Sequence, residues 1–146
     1  MGALASFLAV MIMAPPAATL GAEAARLSDL AAIAAFIFQP SLALTLISGL
    51  LAIAANPIFH NAGWAWAKAV TGILIFEGGL HAAEPLQTGA KAAAAALAAK
   101  GPLGPVSPDL ALAGGAAERN TLWLLMAVSL ANVVLGIWRP RFTRLR

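Results

Sequence analysis

The sequence predicts an all-α membrane protein, a polytopic helical bundle with about four transmembrane helices. Two observations favour this class. Of the 146 residues, 61% are hydrophobic and only 10% are charged, whereas a soluble domain carries roughly 25% charged residues. The apolar residues also form long runs, and a helix needs about 20 such residues to cross a hydrocarbon core. Lipid is therefore expected to cover much of the surface of a single domain, 1–146.

The first of four predicted spans covers about residues 3–20. Pro15-Pro16 removes two backbone donors there and should kink or end the helix. A secretory signal peptide is the alternative for this segment. No Lys or Arg precedes the apolar run, although a signal peptide normally begins with basic residues.

The other three spans are predicted at about 30–55, 62–83 and 121–138. Ser28 and Asp29 are the expected caps of the second span, and Pro40 should bend it. The third span is expected to end before Glu84-Pro85. All four tryptophans fall at predicted span ends, where amphipathic rings prefer the headgroup layer; they are Trp64, Trp66, Trp123 and Trp138.

A long connection rich in Ala, Gly and Pro, residues 84–120, precedes the last span. Alanine is the best helix former, so its first part, 87–100, is predicted to be an extramembrane or interfacial helix. The glycines and prolines that follow predict an extended loop.

Charge patterning predicts how the chain is oriented in the membrane. Four of the nine cationic residues lie in the last eight positions, namely Arg139, Arg141, Arg144 and Arg146. A basic cluster directly after an apolar run indicates a cytoplasmic flank. We expect a bacterial cytoplasmic membrane protein with both termini in the cytoplasm. No basic stripe or aromatic platform accompanies the cluster, so a nucleic-acid partner is not expected.

The third span carries the ionisable residues that are candidates for function, since charges inside a membrane are costly. Lys68 lies near its start, where the long stem can also snorkel to the interface. Glu77 and His81 are four residues apart and therefore neighbours on one helix face. The pair could act as structural polar glue, contact a haem or quinone, or relay a proton, with His81 as the metal ligand.

The sequence assigns no catalytic residue. It has no cysteine, which excludes disulfides, thiolate catalysis and iron–sulfur clusters. It also has no nucleotide-binding glycine pattern and no nucleophile elbow. His60 lies in the loop after Pro57, where a lone histidine is usually solvated.

Two stretches and the chain end resemble a known family. Gln39-Pro40, Thr45 and Gly49 are spaced like residues of the second helix of the HemJ-type proteins, and 63–68, Gly-Trp-Ala-Trp-Ala-Lys, resembles the opening of their next helix. The ending 139–142, Arg-Pro-Arg-Phe, is similar as well. The resemblance implies a small four-helix membrane protein, related to CopD-like domains, that binds haem and oxidises protoporphyrinogen.

The chain departs from that family at several positions. It has no histidine in 1–29, where the family carries a haem ligand. The family's Asn-Glu-x-Pro before the last helix is reduced here to Asn120, without the Glu or the Pro. The expected basic residues between the first two helices are reduced to Arg26. A divergent member that has lost its redox centre is therefore predicted.

The predicted function is a non-catalytic accessory or structural subunit of a larger respiratory or photosynthetic membrane complex, with other membrane subunits and the lipid bilayer as partners. The alternative is a HemJ-like haem-binding oxidoreductase, in which His81 is an axial ligand and Lys68 contacts a propionate or porphyrin carboxylate. A small proton-coupled transporter built on Glu77 is the third hypothesis.

Overall fold

The computed structural model describes residues 2–57 and 62–138, and these residues form an all-α fold without strands. The elements in chain order are α1 (Gly2–Met13), α2 (Leu20–Ile33), a π-helical turn (Ala34–Phe38), α3 (Gln39–Ala55), α4 (Gly63–Lys100), α5 (Pro108–Leu112) and α6 (Ala116–Trp138). His60 and the C-terminal residues 139–146, on which the predicted orientation depends, lie outside the described residues.

Helix α1 packs one face into the core. Leu4, Phe7, Leu8 and Met11 recur at helical spacing and are all buried. The ring of Phe7 stacks on Phe38 with centroids 4.7 Å apart. The helix ends just ahead of Pro15-Pro16, because proline disfavours helical backbone in the residue before it. Its 12 residues span about 18 Å, less than the predicted first span requires.

The second helical segment begins earlier than the sequence predicts. Thr19 is its N-cap, with the backbone N–H of Ala22 donating to Thr19 Oγ1 at 3.5 Å. Ser28 and Asp29, the predicted caps, lie inside α2. The helical rod then continues without a break through the π turn and α3, giving 36 residues from Leu20 to Ala55.

The irregular turn in this rod comes just before Pro40. Proline has no N–H to donate to the carbonyl four residues back, and its ring crowds that turn. A π turn widens the helix locally and so relieves the crowding. The hydroxyl of Ser41 donates to the carbonyl oxygen of Ile37 at 2.6 Å, which gives this turn an additional donor.

Helix α4 runs through Pro85, where the sequence predicts a break. It has 38 residues, so the predicted third span and the Ala-rich helix over 87–100 form one element. Ala82, Ala83 and Leu86 flank the proline and are buried, and this tertiary packing offsets the cost of the proline in the helix. The connection to the last helix therefore begins at Gly101, which has φ 77° and ends α4.

Helix α4 lies antiparallel to the α2–α3 rod. Gly72 contacts Leu46 of α3, and Gly79 contacts Leu42 and Phe38 further up the rod. Gly89 contacts Leu27 of α2. We call the end with the N-terminus of α4 the cavity end.

The opposite end, called the loop end, holds the 101–115 connection. There the N–H groups of Leu20 and Gly21 donate to the carbonyls of Gly104 and Pro102 at 3.1 and 2.9 Å. Helix α6 returns toward the cavity end beside α4, with Leu125 packed against Gly78.

One helix among the described residues, Leu20–Ala55, is long and apolar enough to cross a membrane. Length and composition are the only basis for this assignment, and a core helix of a soluble protein or a signal sequence has the same properties. The helix therefore gives weak, non-specific evidence of membrane association.

Candidate functional site: a cavity around Lys68

A cavity of about 660 Å³ lies at the cavity end, between α1, α3, α4 and α6. This volume falls within the range of pockets that hold small molecules. Most of the lining is apolar, including Leu46, Leu50, Ile53, Ile75 and Phe76. The polar side chains in the lining are Ser41, Thr45, Trp64, Lys68, Ser129 and Asn132.

Lys68 supplies the positive charge of this cavity. It is the one charged side chain in the described lining, and no described carboxylate forms an ion pair with it. Its ammonium group has three donors and no acceptor. The cavity thus contains a cation whose balancing anion is not one of the described side chains.

Asn132 is the second notable polar group. It lies in an apolar stretch of α6 and lines the cavity, and its Oδ1 atom is buried without a hydrogen-bond partner in the described residues. Buried polar atoms usually have a partner, because leaving one unpaired costs about 1–3 kcal/mol. Glu118 Oε2 shares this condition, but it lies in the first turn of α6, where the helix dipole favours a carboxylate.

The hydroxyl donors of α3 are already used within the helix. Ser41 Oγ donates to Ile37 O at 2.6 Å, and Thr45 Oγ1 donates to Ser41 O at 2.7 Å. Their oxygens can still accept hydrogen bonds. Outside α3, the lining groups that carry donors are Lys68, the Asn132 amide, the Ser129 hydroxyl and the Trp64 indole.

Glu77 and His81 lie away from the cavity, on the outer face of α4. Their side chains are 63% and 70% exposed, with His81 Nε2 3.6 Å from Glu77 Oε1. His81 Nδ1 is also 3.7 Å from Glu84 Oε2. The structure thus brings Glu77 and His81 together, as their spacing predicts, but Lys68 is separate from both.

The described residues do not provide the haem site that the family resemblance implies. None of the described lining residues is a histidine, so the described residues offer no imidazole to a haem inside the cavity, and His81 lies on the outer face of α4. No group of three or more His, Cys, Asp or Glu side chains in the described part of the chain is arranged to hold a metal ion.

The same outer face of α4 is apolar toward the cavity end. Trp66, Val70, Ile73 and Leu74 expose about half of their surface. Comparable residues are exposed on the π turn, α3 and α6, and we call all of them together the apolar belt: Phe36, Ile37, Leu44, Ile47, Leu50, Leu51, Trp66, Val70, Ile73, Leu74, Trp123, Leu124, Leu130, Val133, Val134 and Ile137.

A buried ion pair lies at the loop end, outside the belt. Arg26 and Glu23 form a bidentate pair one turn apart on α2, with side chains 8% and 0% exposed. Arg26 also donates to the carbonyls of Ala14 and Ala113, at 3.3 and 2.9 Å. The N–H of Ala17 donates to Glu23 Oε2 at 2.7 Å. One pair therefore joins α2 to the α1–α2 loop and to the end of α5.

The surroundings of Glu23 keep it ionised. Burial raises the pKa of this carboxyl, but the hydrogen bonds from Arg26 and Ala17 and the charge of Arg26 outweigh it and leave the pKa below its ordinary value. A lowered pKa means that the carboxylate stabilises the fold at neutral pH. That contribution is lost as the pH falls through the pKa of the folded state.

Sequence reasoning identifies Lys68 as a candidate but misses the ion pair and Asn132. The i, i+3 spacing of Glu23 and Arg26 permits their contact, although burial at these positions has no local signal. Asn132 could have been found as an amide within an apolar run, three residues after Ser129 and hence on the same face.

No family model, curated protein or solved structure matches the chain. Four residues of the stretches that resemble the HemJ-type proteins, Thr45, Gly49, Trp64 and Lys68, line the same cavity.

Proposed function

We propose that the protein is a non-catalytic accessory subunit of a larger complex in a bacterial cytoplasmic membrane, of the respiratory or photosynthetic electron-transfer kind. The apolar belt supports the membrane part of this proposal. The segment Phe36–Leu51 is roughly 22 Å long at the rise of an α-helix, which is most of a hydrocarbon core about 30 Å thick. Large exposed apolar surfaces are otherwise rare in monomeric soluble proteins.

The position of two tryptophans also supports a membrane. Trp66 lies toward the cavity end of the belt on α4, and Trp123 lies at its opposite edge on α6, and both are about half exposed. Amphipathic rings of this kind favour the two interfaces of a bilayer.

The observation that carries the subunit assignment is the exposure of Glu77 within the belt. The apolar side chains of Ile73 and Leu74 precede it on α4, and the adjacent Gly78 packs on Leu125 of α6, inside the segment of α6 that bears belt residues. A carboxylate inside the belt is costly when it faces lipid, so ionisable residues in such segments almost always face protein or water. A partner helix packed over Glu77 would supply that protein surface.

Co-purification in mild detergent tests this proposal, with Glu77→Leu as the variant and Glu84→Leu as its matched control. Glu84 lies on the same helix and is 70% exposed, but it follows the belt toward the loop end. We expect the wild type and Glu84→Leu to retain the same co-purifying membrane subunits and Glu77→Leu to lose them. The proposal would be contradicted if all three proteins retained the same subunits, or if the wild type purified without any other subunit.

The visible absorption spectrum of this chain, recorded after it has been separated from any co-purifying subunits, tests the HemJ-like alternative. A colourless preparation is expected for an accessory subunit. A Soret band that disappears in His81→Ala would instead support a haem-binding oxidoreductase and overturn the non-catalytic assignment.

A further inference from the structure

We propose that the cavity around Lys68 binds an acyl chain that ends in an anionic phosphate or carboxylate group. This inference does not depend on a partner subunit. It depends on the presence, in one cavity, of an extended apolar wall and a cation without a protein counter-charge.

The apolar wall indicates the chain part of the ligand. Leucine, isoleucine and phenylalanine side chains from α3 and α4, together with alanines and glycines of the same helices, make most of the lining around a volume of about 660 Å³. Burying an alkyl chain here would remove apolar surface from water, at about 0.8 kcal/mol per methylene. A small polar anion would leave most of this wall without a contact.

The charge of Lys68 indicates the other part of the ligand. All six acidic residues of the chain lie in the described ranges, and none pairs with Lys68. An ammonium group in apolar surroundings is stabilised by an opposite charge. A neutral hydrocarbon would bury the lysine without such a charge, and a cationic amphiphile would be repelled.

The lining also has the polarity gradient of an amphiphile. Lys68 lies near the start of α4, while Phe76 lies two turns deeper, about 12 Å along the helix. The head group would thus lie toward the cavity end and the chain would extend toward the middle of the bundle.

Asn132 provides a second polar contact for the head group. Its buried Oδ1 has no partner among the described residues, and the O and N atoms of an amide can exchange places by a flip. The amide can therefore either accept from a hydroxyl or donate to a phosphate or carboxylate oxygen.

The cavity also has an access route. Gly49, Leu50 and Ala52 of α3 belong to the lining and are exposed. Leu50 is at the same time a residue of the apolar belt, so a chain could enter directly from the surface that we propose to face lipid.

Native mass spectrometry of the delipidated, detergent-solubilised chain tests this inference. The probes are phosphatidylglycerol and oleate, which carry a phosphate and a carboxylate, with phosphatidylcholine as the comparison of zero net charge. We expect Lys68→Met to weaken binding of the anionic probe about tenfold, because a hydrogen bond to a charged group is lost. Lys68→Arg should retain most of the binding.

Two further variants keep this test independent of folding. Lys91→Met removes an exposed lysine of α4 outside the cavity and should bind like the wild type. Asn132→Leu should lower the affinity several-fold while the helical circular-dichroism signal is unchanged, because its buried oxygen has no protein partner to lose.

Binding of phosphatidylglycerol alone would identify a phospholipid as the source of the chain, and binding of oleate alone would identify a fatty acid. Lys68-dependent binding of both would show that the site recognises the chemistry that the two share. Binding of neither probe, equal binding of phosphatidylcholine, or wild-type affinity in Lys68→Met would overturn the inference. Because no other subunit is present in this assay, its result is separate from that of the co-purification experiment.

Discussion

The two ends of the bundle place charged side chains in opposite surroundings. At the loop end, Glu23 and Arg26 are buried together, and Arg26 donates to two further carbonyls. At the cavity end, Lys68 borders a cavity and has no described carboxylate beside it. A buried charge with a complete set of partners stabilises a fold, whereas one that borders unfilled space can bind a ligand. The charges at the loop end thus stabilise the fold, whereas for the cavity end we propose ligand binding.

The largest expected effect comes from breaking the buried pair. Arg26→Met should lower the free energy of unfolding by about 3–5 kcal/mol, since it leaves Glu23 as an uncompensated buried charge. The carbonyls of Ala14 and Ala113 also lose their donor. Chemical denaturation in detergent micelles measures the change.

A double variant, Glu23→Leu with Arg26→Met, separates these contributions. It should recover part of the loss, because no unpaired charge is then buried. An ordinary surface substitution changes stability by about 0.5 kcal/mol or less. If Arg26→Met changes the free energy of unfolding by no more than this, the Glu23–Arg26 pair does not stabilise the loop end.

A smaller effect is expected from Gly114, which links α5 to α6 beside the same pair. Its φ of 73° favours glycine, and a Cβ there would lie 3.0 Å from Leu86 Cδ2 and 3.4 Å from Arg26 Nη1. Gly114→Ala should therefore cost about 1–2 kcal/mol. The same denaturation measurement checks it.

Gly49→Ala is the matched control at the cavity end. Apart from the backbone of its own helical turns and its chain neighbours, no described atom lies within 4 Å of a Cβ at Gly49. Alanine is favoured over glycine in a helix by up to about 1 kcal/mol. Gly49→Ala should thus leave stability equal or raised. An equal loss of stability in Gly114→Ala and Gly49→Ala would contradict this expectation, because it would mean that the positive φ and close contacts of Gly114 do not set the cost of the substitution.

The sequence predicts the helical class and most of the helical segments, since composition and long apolar runs can be read without knowing the tertiary contacts. Its errors lie at boundaries that tertiary contacts decide. Thr19, rather than Ser28 or Asp29, caps the second segment. Helix α4 continues through Pro85 because its neighbours on the chain are buried. The continuation through Pro85 cannot be read from local propensity, whereas Thr19 is a residue type that favours the N-cap position and could have been found locally.

The candidate site shows the same division. Lys68 is conspicuous in the sequence because it is a charge in a predicted span. Its environment depends on residues brought from other helices, such as Thr45 and Asn132. Helical spacing predicts the contact between Glu77 and His81. It cannot predict whether that face of α4 points to the core or outward, because this depends on where the other helices pack.

The smallest expected effect is that of Lys68→Met on stability, and it is the sharpest test of the difference between the ends. Lys68 has no described ion pair to lose, and methionine retains most of the apolar stem. The free energy of unfolding of the delipidated protein in detergent should change by no more than about 0.5 kcal/mol. Arg26→Met, a substitution of the other cation by the same residue, should cost several times more. A loss comparable to that of Arg26→Met would mean that Lys68 has a structural partner, and the cavity end would then resemble the loop end. A negligible loss would show that Lys68, unlike Arg26, has no structural partner that the fold depends on.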